Sequence, residues 1–303
     1  MSSSGTGKRA GLRPHGYAGL LVIVAAEALL FAGNRLVGEW FTPIVWTGLL
    51  LFVDALAFRA EGRSLFVAER LELLVICVVS IACWWLFEFY NEPRFWSSDL
   101  ELWWHYHNLE PNPYLRRAGY DWAFATIFPA MFLTAELLAA TAFRRLRGGV
   151  KIRLSRPALF ALVAAGAVAA VVPLVVISQW LVPLVWLSFI FLLDPLNALR
   201  GWPSITGDLA RGDWRRLAAL LASGGVCGLL WEFWNYWAAT KWTYTVPYLG
   251  SLKLFEMPVL GFLGFPPFAV ECWAMYVFCR SLLTPRPRAG EKEWDGLWPA
   301  TSE

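Results

Sequence analysis

Apolar residues gather along this chain into long runs of about 18 residues or more, separated by short polar and basic segments. A helix of that length crosses a ~30 Å hydrocarbon core at about 1.5 Å per residue. The pattern predicts eight spanning helices, at 17–34, 41–58, 71–91, 120–143, 157–178, 181–199, 217–238 and 256–283. The expected fold class is an all-α polytopic membrane protein. The segment 1–16 is polar and basic, but the apolar run after it is long and carries Glu27. A first membrane helix is therefore expected there, not a cleaved signal peptide.

Composition agrees with that reading, because 58% of the 303 residues are hydrophobic and only 16% charged. The net charge of +3 implies no nucleic-acid partner, since the basic residues sit in short loops between apolar runs. There they report orientation. With the N-terminus inside, 20 of the 26 lysines and arginines fall on the inner side, and only Arg35, Arg94, Arg116, Arg117, Lys241 and Lys253 fall outside. The positive-inside rule then puts both termini in the cytoplasm, of a bacterial cytoplasmic membrane by expectation. The five cysteines lie inside apolar runs without metal-site clustering and are read as small apolar side chains.

The two halves share a pattern. "WFTPIVWTGLLLFVDALAFR" at 40–59 aligns with "WLVPLVWLSFIFLLDPLNALR" at 180–200, matching Trp40 with Trp180, Pro43 with Pro183, Trp46 with Trp186 and Asp54 with Asp194. "CWWLFEFYN" at 83–91 and "LLWEFWNYW" at 229–237 likewise repeat Glu-x-x-Asn, as Glu88 with Asn91 and Glu232 with Asn235. Four helices per half is an even number, so two parallel four-helix repeats are expected, related by an axis along the membrane normal. The predicted organisation is a cytoplasmic tail at 1–16, a first repeat at 17–143 with an outer Trp-rich loop at 92–119, a basic cytoplasmic linker at 144–156, a second repeat at 157–283 and a cytoplasmic tail at 284–303.

The acids fall into two layers by helix rise. Asp54, Asp194, Glu136 and Glu271 lie deep, toward the cytoplasmic side, whereas Glu88, Glu232, Asp121 and Glu256 lie near the outer boundary. Ionisable groups at such depth face the bundle interior, paired or protonated. Tryptophan is also uneven, with 14 of 19 in the outer half, more than an ordinary interfacial belt supplies. Each Glu-x-x-Asn pair shares one helix face and could present an acid, an amide and ring faces to one cavity. Such a cavity suits protonation of an alkene and stabilisation of the resulting cation by ring quadrupoles. The expected catalytic residues are Glu88, Glu232, Glu256, Asn91 and Asn235, with Trp84, Trp85, Trp231, Trp234, Trp242 and Tyr244 lining the substrate. The bland alternative is that these Trp and Glu residues anchor helix ends among headgroups.

The loop around "LELWWHYHNL" carries His105 and His107, which either bind a metal or sit at the water line on an amphipathic interfacial helix. The latter is the expectation, so no metal is assigned. No phosphate-cradling glycine loop, Ser-His-Asp order or histidine-rich di-iron pattern occurs, and no cofactor is implied.

Beyond these patterns, Glu232 with Asn235, then Trp242-Thr243-Tyr244, then Pro258 within "FEMPVLGFLGFPPFAVE", resembles in layout the lycopene cyclase domain of small membrane isoprenoid cyclases. That domain has an acid–Asn pair ending one helix, an aromatic-x-Tyr about a dozen residues later, and a proline opening the next acidic helix. The overlap spans about 45 residues, and where the family carries acids just after the proline this chain has Leu260 and Gly261. The resemblance implies a related fold and acid chemistry on an isoprenoid. The reading expected from residues and resemblance together is a membrane enzyme performing metal-free acid–base chemistry on an isoprenoid or other lipid-phase small molecule. The rivals are a proton-coupled transporter using Asp54, Asp194, Glu136 and Glu271, and a scaffold subunit of a membrane complex. Membrane lipids are the other expected partners, and no protein partner can be named.

Overall fold

The computed structural model describes residues 11–92, 103–146, 148–176 and 178–283. Expectations for the two tails beyond these limits, and for 93–102 of the outer loop, lie outside the described residues. Among the described residues eight helices are long and apolar enough to cross a membrane, so the chain is an all-α polytopic membrane protein.

In the first half, α1 (Pro14–Phe31), the short α2 (Arg35–Glu39), α3 (Phe41–Glu61) and α4 (Arg70–Asn91) are followed by strand β1 (Trp104–His107) and α5 (Pro113–Ala140). In the second half, α6 (Arg156–Val175), α7 (Val182–Val185), α8 (Ser188–Leu199), α9 (Ile205–Arg211) and α10 (Arg215–Trp237) precede strand β2 (Lys241–Tyr244). A hairpin of β3 (Lys253–Leu254) and β4 (Met257–Pro258) and a 3-10 turn (Val259–Gly264) then lead into α11 (Phe265–Leu283).

Three elements differ from expectation, each for a local reason. α5 starts at Pro113 instead of 120, because the Asn112 side chain accepts from the amides of Tyr114 and Leu115 and a proline fills the first position. The sixth span is broken at Trp186–Leu187 between α7 and α8, and Glu271 accepts from the Phe189 amide where the helix restarts (3.0 Å). The eighth helix begins at Phe265, not 256. Glu256 and Pro258 belong to the hairpin region, where Pro258 can donate no helical hydrogen bond.

Packing runs in matched pairs across the halves. α1 packs on α3 as α6 packs on α8, α3 on α5 as α8 on α11, and α4 on α5 as α10 on α11. Contacts between halves join α10 to α5 and α11 to α4. Small residues permit the tightest crossings: a Cβ on Gly19 would lie 2.5 Å from the Gly48 carbonyl oxygen, and one on Gly166 2.3 Å from the Leu192 amide. Where α4 meets α5, the Ser80 hydroxyl donates to the Phe124 carbonyl (2.5 Å) and accepts from the Phe128 amide (3.1 Å), one residue before Pro129. A side chain inserted into the helical ladder beside a proline keeps the interrupted backbone bonded.

The two ends of the bundle are chemically distinct. One collects ion pairs such as Arg280–Glu72 (3.0 Å), Arg63–Glu69 (2.9 Å) and Arg216–Asp208 (2.6 Å). The other is aromatic and is crossed by β1 and β2.

Candidate functional site

At the aromatic end β1 and β2, one strand from each half, pair antiparallel with Trp104 opposite Tyr244 and Tyr106 opposite Trp242. Side chains alternate across a strand, so these four aromatics share one face of the ribbon while His105, His107, Lys241 and Thr243 take the other. Period-two alternation is why 104–107 is extended; the amphipathic helix expected there is corrected. His105 Nε2 lies 3.1 Å from the Thr245 hydroxyl and His107 Nε2 2.7 Å from that of Thr243, so both histidines hold the ribbon's far face. Among the described residues no group of three or more His, Cys, Asp or Glu is arranged to hold a metal.

Each strand is fixed by the asparagine of its own half. Asn91 Nδ2 donates to the Trp104 carbonyl (2.9 Å) while its Oδ1 accepts from the amides of Trp103 and Trp104 (2.9 and 3.3 Å). Asn235 Nδ2 donates to the Trp242 carbonyl (2.8 Å) and its Oδ1 accepts from the Trp242 amide (2.9 Å). Both amides are buried and committed to the backbone of the ribbon instead of facing a ligand. A side-chain amide supplies donor and acceptor together, which explains why asparagine stands at both positions.

The glutamates meet the tyrosines of the same strands. Glu88 Oε1 accepts from Tyr106 Oη (2.5 Å), Trp84 Nε1 (2.9 Å) and Trp104 Nε1 (3.3 Å). Glu232 Oε1 accepts from Tyr244 Oη (2.8 Å), and Trp242 Nε1 donates to that hydroxyl at 2.7 Å. The second site is poorer in donors. Glu232 is fully buried, and its Oε2 has no hydrogen-bond partner among the described residues. Burial, and secondarily the neighbouring glutamate, hold the Tyr106 and Tyr244 hydroxyls well above the ordinary tyrosine range. Both remain neutral donors.

Beneath the ribbon lies a cavity of about 430 Å³, walled by Trp46, Trp84, Trp104, Trp186, Trp231 and Trp242 with Tyr106 and Tyr244. Trp186, released by the break in the sixth span, is the hub of the wall, its ring centroid 5.1 Å from that of Phe87, 5.0 Å from Phe268 and 5.8 Å from Trp104. Of the expected site residues, Trp84, Trp231, Trp242 and Tyr244 line the cavity. Glu88, Glu232, Asn91 and Asn235 stand behind it, with the tyrosines between acid and cavity. Trp85 and Trp234 turn away, donating to Asp121 (2.7 Å) and Glu27 (2.9 Å). Glu256 is outside the wall and ion-paired to Lys241 (2.5 Å).

Sequence reasoning missed Tyr106 and Trp104. The signal was available: "WHY" at 104–106 and "WTY" at 242–244 follow the same Glu-x-x-Asn motif, but the longer loop of the first half hid the match.

The deep aspartates hold loops. Asp54 accepts from the Ser64 hydroxyl (2.5 Å) and the Leu65 amide (2.8 Å), with His15 Nε2 at 3.0 Å. Asp194 accepts from the amides of Ile205 and Thr206 (2.7 and 2.9 Å) and from the Thr206 hydroxyl (2.5 Å). Glu136 is buried within α5, and Glu271 keeps one oxygen without a partner among the described residues.

No protein-family model matches the chain, and no curated protein or solved structure matches it either.

Proposed function

We propose that this is a membrane enzyme that uses two glutamate–tyrosine pairs for acid–base chemistry on an isoprenoid or other lipid-phase substrate held in the aromatic cavity. One observation carries the reading: both tyrosines line an apolar, tryptophan-walled cavity while their hydroxyls are bonded to a buried or half-buried carboxylate. The carboxylates are the proton reservoirs, Glu232 as donor and Glu88 as partner base, and each tyrosine passes the proton between its acid and the cavity. The tryptophan faces stabilise positive charge developing on the substrate. Asn91 and Asn235 act by positioning the strands that carry the tyrosines.

The resemblance to lycopene cyclase domains, carried by Glu232 with Asn235 and by Trp242-Thr243-Tyr244 but not by Pro258, which lies ahead of the helix at Phe265–Leu283, extends this proposal toward cyclisation or double-bond isomerisation. We further take the halves as parallel repeats, because the packing pairs and the Asn and Glu–Tyr contacts recur in both. We place the basic end, the linker at 144–156 and both termini in the cytoplasm of a bacterial cell, on the 20-to-6 charge division. The deep aspartates, occupied with loop backbone, give the transporter reading less to work with than the outer pairs give the enzyme.

The test is to purify the protein from a membrane rich in isoprenoids and identify co-extracted lipid by mass spectrometry. A polyprenyl or carotenoid species retained by the native protein and lost from Trp231→Ala is the expected result. Bulk phospholipid alone, unchanged in the variant, would reject the reading.

A further inference from the structure

Among the described residues, five basic residues lie toward the aromatic end: Arg35, Arg116, Arg117, Lys241 and Lys253. Arg94 is outside the described residues. Arg35 pairs with Glu39 (2.7 Å), Arg117 with Asp121 (2.9 Å) and Lys241 with Glu256 (2.5 Å), while Lys253 donates to the Tyr244 carbonyl (3.3 Å). Among the described residues of this end, Arg116 is the cation whose side chain has neither a carboxylate nor a hydrogen-bond acceptor, and it is half-buried in the cavity wall beside Gly119 and Tyr120. Two carboxylates share that rim, and both are engaged: Glu39 by Arg35, and Glu110 by the Asn112 amide (3.0 Å).

A guanidinium left without an anion at the edge of an apolar cavity is an incomplete arrangement, since its planar fork of donors matches an oxyanion in a way that tryptophan faces cannot. We infer that the substrate of this cavity is an amphiphile with an anionic head, which seats on Arg116 while its apolar chain lies among the tryptophans. The inference rests on the proposal that the cavity is the substrate site and adds the head group that the carboxylate–tyrosine chemistry leaves unspecified. A chain whose head is fixed at the rim presents a defined carbon to Tyr106 and Tyr244, so Arg116 sets register as well as affinity.

Farnesyl phosphate and farnesol, which share one chain and differ in the head, separate the contributions when titrated into detergent-solubilised protein and followed by tryptophan fluorescence. Native protein is expected to bind farnesyl phosphate about tenfold or more tighter than farnesol, the effect of one charge-assisted pair. Arg116→Gln should bring the two ligands to near-equal affinity, and Arg116→Lys should retain part of the difference. Both variants should melt with the native protein, because the guanidinium contacts no acceptor among the described residues; if the glutamine variant melts early, the lysine variant carries the comparison. Equal binding of both ligands by native protein, or a phosphate preference that survives Arg116→Gln, overturns the inference and leaves the cavity reading standing. Inorganic phosphate displacing farnesyl phosphate at equal concentration also overturns it, as the site would then take a free anion without a chain. Failure of both farnesyl ligands to bind removes the cavity reading itself, and the inference with it.

Discussion

Asn91 and Asn235 close the same clamp on opposite strands of one ribbon, each amide nitrogen donating to a strand carbonyl while its oxygen accepts a strand amide. The strands so fixed carry Tyr106 and Tyr244, so the geometry of both glutamate–tyrosine pairs depends on two residues that never reach the cavity. Asn235→Leu removes a buried donor and acceptor together and leaves the Trp242 backbone groups unpaired. A loss of about 2 kcal/mol or more is expected, read as an earlier thermal transition in detergent. Asn235→Asp should recover only part of it, since a carboxylate cannot donate to the carbonyl unless protonated.

Removal of the two tyrosine hydroxyls should have unequal consequences. Tyr106→Phe leaves Glu88 with the indoles of Trp84 and Trp104, whereas Tyr244→Phe strips the fully buried Glu232 of the hydroxyl that donates to it at 2.8 Å. Tyr244→Phe is therefore expected to be the more destabilising, by about 1–3 kcal/mol for a polar group left unpaired. Equal melting shifts for the two variants would contradict the difference in donors described above.

Alkaline titration tests the same hydroxyls. In the unfolded chain a tyrosine ionises near pH ~10, while burial holds Tyr106 and Tyr244 well above that in the folded protein. The folded state then binds more protons than the unfolded state above pH ~10, so these groups' contribution to stability is complete below that pH and falls as pH rises through the folded values. Phenolate absorbance from two of the nine tyrosines should appear only together with unfolding, and Tyr106→Phe with Tyr244→Phe should flatten the alkaline decline in melting temperature.

The two layers of acids should separate activity from stability. Glu232→Gln is expected to lower turnover by about 10²–10⁴-fold, the usual contribution of general acid–base catalysis, with a small change in melting. Asp194→Asn should do the reverse, because its carboxylate accepts from two backbone amides and a hydroxyl and an amide nitrogen in that place would oppose a donor. Activity and detergent melting of both variants decide the matter. A Glu232→Gln protein that melts early with intact specific activity would make this glutamate an anchor.

Much of the fold was legible in the sequence because hydrocarbon permits few solutions: runs of sufficient length become helices, and all eight expected spans are present with shifted ends. The shifts arise where tertiary contacts override periodicity, as at Asn112, which starts α5 early, and at Glu271, which restarts a broken helix. Within the site, Glu-x-x-Asn was visible as a repeated motif, but its division of labour was not. Spacing places Glu88 and Asn91 on one helix face, yet it cannot say that the amide grips a strand and the acid a tyrosine. That depends on the pairing of Trp104 with Tyr244, contacts between segments remote in sequence.

An antiparallel ribbon with one strand from each half is what a twofold axis through its centre generates. A half-length chain carrying one Glu-x-x-Asn motif and one Trp-x-Tyr strand would thus find its complement in a second copy of itself, and a homodimer of such chains would already enclose a cavity of this kind. In the present chain the basic segment at 144–156 does the work of a tether, keeping the two strands at the concentration of one molecule. Within one chain the two places need not stay alike, and here Glu88 takes a tyrosine and two indoles while Glu232 takes a tyrosine, so the ribbon is matched in layout and unequal in chemistry.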